Sequence, residues 1–161
     1  SQKNASTQEV NPADTIYLAH RGIRTMKVRM EAQFKSAQKI VDWLEQQPEV
    51  EKILWPAHEK DPGYPIWKRD FTGAAALFAV KLKDNVPDAA LDAFLDNLKL
   101  FGLGYSWGGY ESLLIRSYGK RCKDDSTAFE KMLRLSIGLE DAEDLIRDLQ
   151  RGFEALRKEM P

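Results

Sequence analysis

The chain has 161 residues, 43% of them apolar, a size and composition that suit one domain with a sizeable core. Its 24 basic and 25 acidic side chains leave a formal net charge of −1, which gives no electrostatic footprint for nucleic acid or an anionic membrane. No apolar run is long enough to span a bilayer, and the single cysteine, Cys122, excludes an internal disulfide and points to a reducing, cytoplasmic setting.

Residues 1–11 are polar, unpatterned and without the apolar stretch of a signal peptide, and read as a flexible arm. Asn11-Pro12-Ala13-Asp14 is a helix start, with Asn as cap and Pro at the first helical position. Ile23, Met26, Met30, Phe34, Ala37, Val41 and Leu44 follow at spacings of three and four, the stripe of one long helix over 12–47. Gly22 is a place where it could bend, and Pro48 ends it. Lys52 to Trp55 reads as a strand, and residues 57–73, with Pro62, Gly63, Pro65 and Gly73, as a loop. Ala74–Leu82 is an apolar strand, and Pro87 opens a helix to about Leu98. A glycine-rich aromatic stretch runs from Phe101 to Tyr110. Leu113–Ile115 is a short strand, 117–129 a polar loop, and Met132–Ile137 a strand. The last helix, from about Asp141 to Arg157, carries a stripe of Leu145, Ile146, Leu149, Phe153 and Leu156. Helices and hairpins in this order predict an α+β, two-layer sandwich: a small, mostly antiparallel sheet covered by helices and preceded by a long N-terminal helix.

Arg134 is the most informative residue. Leu133, Leu135 and Ile137 alternate with Arg134 and Ser136, so the strand has two distinct faces. An arginine in mid-strand must meet an anion or reach solvent, and its planar fork suits a carboxylate. On pattern alone a structural salt bridge to a nearby acid is the commoner outcome. In Tyr105-Ser106-Trp107-Gly108-Gly109-Tyr110 the glycines allow close backbone approach, to a ligand or to another element in a tight turn. Gly102 and Gly104 are not followed by a third glycine at dinucleotide-loop spacing. Ser36…Lys39 and Ser117…Lys120 match S-x-x-K without its companion motifs, and His20, His58 and Cys122 form no metal-ligand spacing. Glu140, Asp141, Glu143 and Asp144 read as helix-start electrostatics.

Four motifs occur in order: Arg21-Gly-Ile-Arg-Thr25, Trp67-Lys-Arg-Asp-Phe-Thr-Gly73, Tyr105-Ser-Trp-Gly-Gly-Tyr-Glu-Ser112 and Leu133-Arg-Leu-Ser-Ile-Gly-Leu-Glu-Asp141. Together, over residues 12–161, they resemble the C-terminal domain of the Cys/Met-metabolism enzymes that use pyridoxal phosphate (PLP), members of fold type I. The versions with Trp107 and with Trp67-Lys-Arg-Asp resemble bacterial cystathionine β-lyases, which split L-cystathionine by α,β-elimination into homocysteine, pyruvate and ammonia. The resemblance implies that Arg134 holds the substrate α-carboxylate and that Tyr105, Ser106 and Trp107 line the same site; for Arg21 and Arg24 it implies no role. It also implies that the Schiff-base lysine and phosphate cup belong to an N-terminal PLP domain that this chain lacks, since no Lys-Tyr pair is present. On that reading the chain alone binds no cofactor or metal and is inactive. Its partners are the missing PLP domain, neighbouring subunits of a homo-oligomer and a thioether amino acid, with no nucleic acid and no membrane. The residues alone leave two other readings open: a free-standing α+β module that binds small amino acids, and an assembly domain without a ligand.

Overall fold

A computed structural model describes residues 12–117 and 131–160. The expected arm at 1–11, most of the polar loop before Met132, and Cys122 lie outside the described residues. In chain order the elements are α1 (Pro12–Leu44), β1 (Val50–Leu54), α2 (Tyr64–Asp70), β2 (Leu77–Leu82), α3 (Asp88–Asp96), β3 (Gly102–Leu103), β4 (Leu113–Ser117), β5 (Met132–Ser136) and α4 (Ala142–Lys158). The sheet order is β1-β2-β5-β4-β3, antiparallel throughout except for the parallel β3–β4 pair. The α+β architecture expected from the sequence is the one found.

Most boundaries shift by one or two residues, and three differences from expectation are larger. Residues 57–73 are not all loop, because α2 occupies seven of them. Pro65 sits in its first turn, where a missing N–H costs nothing, so the proline that suggested a loop is compatible with a helix start. The strand from Ala74 begins only at Leu77, and α1 closes at Leu44, with residues 45–47 in main-chain turns before Pro48. Gly22 does not interrupt α1, which is one helix from end to end.

The two faces of the sheet follow from register. Phe78 opposes Leu135, Val80 opposes Leu133 and Leu114 opposes Leu135, so these side chains share one face, and all are buried. Against them pack Ala37, Ile40, Val41 and Leu44 of α1, Ala90, Leu91 and Phe94 of α3, and Leu145, Leu149, Phe153 and Leu156 of α4. Each large side chain buried there contributes about 1.5–3 kcal/mol. Phe94 and Phe153 meet edge-on at 5.0 Å, close to Gly152, where an added Cβ would lie 2.8 Å from the Phe94 ring. The opposite face carries Arg134 flanked by Ala79 and Ile115, and Ser136 flanked by Leu77 and Leu113. At its N-terminal end α4 is capped by Asp141, whose side chain accepts from Glu143 N and Asp144 N, with Arg157 and Lys158 in the last turn complementing the helix dipole.

Candidate functional site

Residues 104–110 lie over the second face of the sheet and are tied down at both ends. Arg134 reaches up from the middle of β5, and its Nη2 donates to the carbonyls of Tyr105 (2.7 Å), Gly104 (3.4 Å) and Ser106 (3.4 Å). One period along the strand, Ser136 Oγ accepts from the Gly108 amide at 3.1 Å. Gly108 has φ +75°, a conformation open to glycine and strained for most other residues. The far end is fixed by Ser112: its amide and hydroxyl donate to Glu140 at 2.8 and 2.7 Å, and its Oγ accepts from Gly138 N. Leu139 N donates to Tyr110 O beside it. Glu140 therefore does more than precede a helix. It bridges the end of the glycine-aromatic stretch to the turn after β5, a role that its position beside α4 concealed in the sequence.

The structure brings together the four residues singled out from the sequence. Arg134 meets Tyr105 and Ser106 through their carbonyls, not their side chains, and Trp107 follows directly. The side chains of Tyr105, Ser106 and Trp107 are exposed. None of the ion pairs among the described residues includes Arg134, so the structural salt bridge is not what holds it. Its Nε is shielded from solvent and has no hydrogen-bond partner. Gly102 and Gly104 are explained by packing, since each lies against the Leu113 side chain. Tyr110 stands exposed next to Glu111, whose hydrogen bond and charge push its phenol above the usual value, so it is a neutral hydroxyl near pH 7.

Beside this loop lies a cavity of about 350 Å³ between α1 and the ends of β2 and β5. Trp107, Gly108 and Ser136 line one side, and Met26, Arg29, Met30 and Gln33 the other. The other sequence candidates sit elsewhere: Arg21, Arg24 and His20 are exposed on the first half of α1, His58 is paired with Glu45 at 3.1 Å, and Lys39 with Glu143 at 3.8 Å. Among the described residues no group of His, Cys, Asp and Glu could hold a metal, and no helix is long and apolar enough to cross a membrane.

Residues 1–154 match the family described as Cys/Met metabolism PLP-dependent enzyme. The chain belongs to that family. It is 41% identical to cystathionine beta-lyase MetC of Escherichia coli K12 over 146 residues, 88% of this chain and 37% of that protein. It is 37% identical to cystathionine gamma-lyase of Bos taurus, over 86% of this chain and 36% of that one. Among solved structures, O-acetylhomoserine sulfhydrylase of Wolinella succinogenes superposes with a TM-score of 0.72 at 30% identity, over 84% of this chain and 36% of that one. The chain thus spans a little over one third of the length of these relatives, which share PLP dependence and differ in reaction. The described residues do not themselves fit PLP. No lysine lines the cavity beside Trp107. Lys60 is paired with Glu45, Lys81 with Glu51, and Lys131 donates to the carbonyls of Asp84 and Val86.

Proposed function

We propose that this chain is the substrate-carboxylate part of a PLP-dependent carbon–sulfur lyase of the cystathionine β-lyase kind, acting on L-cystathionine or a related thioether amino acid. The observation that carries the reading is Arg134, a half-buried guanidinium with no acidic partner, a shielded unpartnered Nε, and neutral carbonyls as its present acceptors. A buried donor left unmade costs about 1–3 kcal/mol. A carboxylate arriving at the fork recovers that cost and replaces neutral acceptors with a charge-assisted pair, which is roughly twice as strong. Ser106 and Trp107, next to the carbonyls that Arg134 grips, then offer a hydroxyl and an apolar wall to the same molecule. In the whole enzyme the electron sink is PLP, held by a lysine of a preceding domain; this chain binds and orients the amino acid. The identities with cystathionine β-lyases over most of the chain support the choice of substrate.

Steady-state kinetics of the whole enzyme test this. Arg134→Ala lowers kcat/KM by roughly 30-fold to several-thousand-fold, chiefly through KM, because a charged contact of this kind is worth about 2–5 kcal/mol. Arg134→Lys restores only part, since an ammonium cannot fork. Native folding with unchanged kinetics in Arg134→Ala would remove the reading.

A further inference from the structure

On the face of α1, Met26, Arg29, Met30 and Gln33 follow at helical spacing and together form one wall of the cavity beside Trp107. Gln33 is the first fully buried side chain of the helix: residues 13–32 are exposed or half-buried, and Gln33 is 6% exposed. A carboxamide is an expensive choice at such a position unless its polar atoms are used, and a leucine would fill the same space at no polar cost. Its Nε2 is used. It donates to the carbonyl of Gly109 at 2.6 Å, across 76 residues of sequence. The bond lands on the residue after Gly108, whose positive φ and bond to Ser136 turn the loop back toward the sheet. Arg134 holds the carbonyls of 104–106, and Ser112 with Glu140 holds the far end. The Gly108 amide is held by Ser136 and the Tyr110 carbonyl by Leu139, so the bond from Gln33 fixes the peptide between these two anchors and limits the play of Trp107 beside them.

We infer that Gln33 is a positioning residue for the substrate loop: its carboxamide ties Gly109 to α1, and so sets where the Ser106 hydroxyl and the Trp107 ring stand relative to Arg134 and the cavity. Its role in catalysis rests on the proposed function above; the tether itself does not.

The test uses this chain without substrate. In isotope-labelled protein, the Gln33 side-chain amide protons exchange more slowly than those of exposed Gln38 and show contacts to the Gly109 α-protons. Gln33→Met keeps the length and removes the donor. It speeds exchange of the Gly108 amide, which is bound to Ser136, on the order of tenfold, the worth of one net hydrogen bond. It also moves the Trp107 indole N–H resonance, assigned from Trp107→Phe, and leaves those of Trp43 and Trp67 in place. Gln33→His, which keeps an N–H donor, restores part of the protection. Gln33 amide protons that exchange like those of Gln38, or a Gly108 amide unchanged in Gln33→Met, would overturn the inference. So would a Gln33→Met variant in which β5 and α4 loosen as much as the loop, since Gln33 would then be a core residue only. Unchanged kinetics in Arg134→Ala would remove the proposed function and leave these exchange results untouched, so the two failures are distinguishable.

Discussion

Asp148 shows how much of this molecule's order depends on single polar side chains. It is fully buried on α4, and its carboxylate accepts from the amides of Lys99, Leu100 and Phe101 and from Arg151. Burial alone would push its pKa up. The three amides and Arg151 outweigh burial and hold it below the ordinary carboxylate value. A lowered folded-state pKa means stabilisation that is present above the unfolded value, about 3.9, and lost as pH falls through the folded one. Asp148→Asn should therefore cost roughly 2–4 kcal/mol near neutral pH in urea denaturation. The difference from the wild type should shrink steadily as pH falls below about 4. A difference independent of pH would mean that the charge contributes nothing. Gly138 makes a steric prediction at the same scale. An added Cβ there would lie 2.2 Å from Tyr110 O and 2.6 Å from the Glu111 carbonyl carbon. Gly138→Ala should destabilise by about 3 kcal/mol and loosen residues 110–112, since backbone cannot yield as a side-chain tip can. Arg134 was legible in the sequence because alternation within six residues is a local signal. Gln33, Glu140 and Asp148 were not, because their partners lie 76, 28 and up to 49 residues away, and nothing at either end marks the pairing.

At the scale of elements, the same distinction separates what was read from what was missed. The stripes of α1 and α4 and the alternation of β5 announced themselves by period, and β2 by an apolar run. α2 has no buried residue and no side-chain cap, so it left no stripe to read. β3 has two residues, one of them glycine, and exists through its pairing with β4 alone. α1 sets the largest question at this scale. Its second half packs in the core, while Ile16, Tyr17, Leu18, Ile23, Met26, Val28 and Met30 stand exposed, Ile23 by 66% and Val28 by 68%. At 1.5 Å per residue that exposed half is about 30 Å long. Ile16, Ile23, Met26 and Met30 fall on one face of the helix, and an apolar face of this length rarely stays bare in a monomer. Covering a few hundred Å² at about 25 cal/mol per Å² gives several kcal/mol before association costs. Sedimentation equilibrium over a hundredfold concentration range should show a dimer or larger species, and Ile23→Glu with Met30→Glu should return it to monomer without loss of core stability. A strictly monomeric wild type that binds no hydrophobic dye would count against an uncovered helix.

At the scale of the whole molecule, the proposal is that this chain holds the substrate end of a site whose PLP-binding lysine lies in another domain. The relatives are nearly three times longer than the stretch they share with it, and among the described residues no lysine lines the cavity beside Trp107. The direct measurement compares the chain alone with the chain joined behind the preceding portion of its Escherichia coli relative. Both are incubated with PLP, freed of excess, reduced with borohydride and assayed for pyruvate release from cystathionine. The chain alone should give no stoichiometric pyridoxal absorbance, no reduced pyridoxyl-lysine and no pyruvate. The joined protein should give all three, with pyruvate release falling sharply on Arg134→Ala. A pyridoxyl-lysine fixed within residues 1–161, or pyruvate release that is indifferent to Arg134, would contradict the proposal.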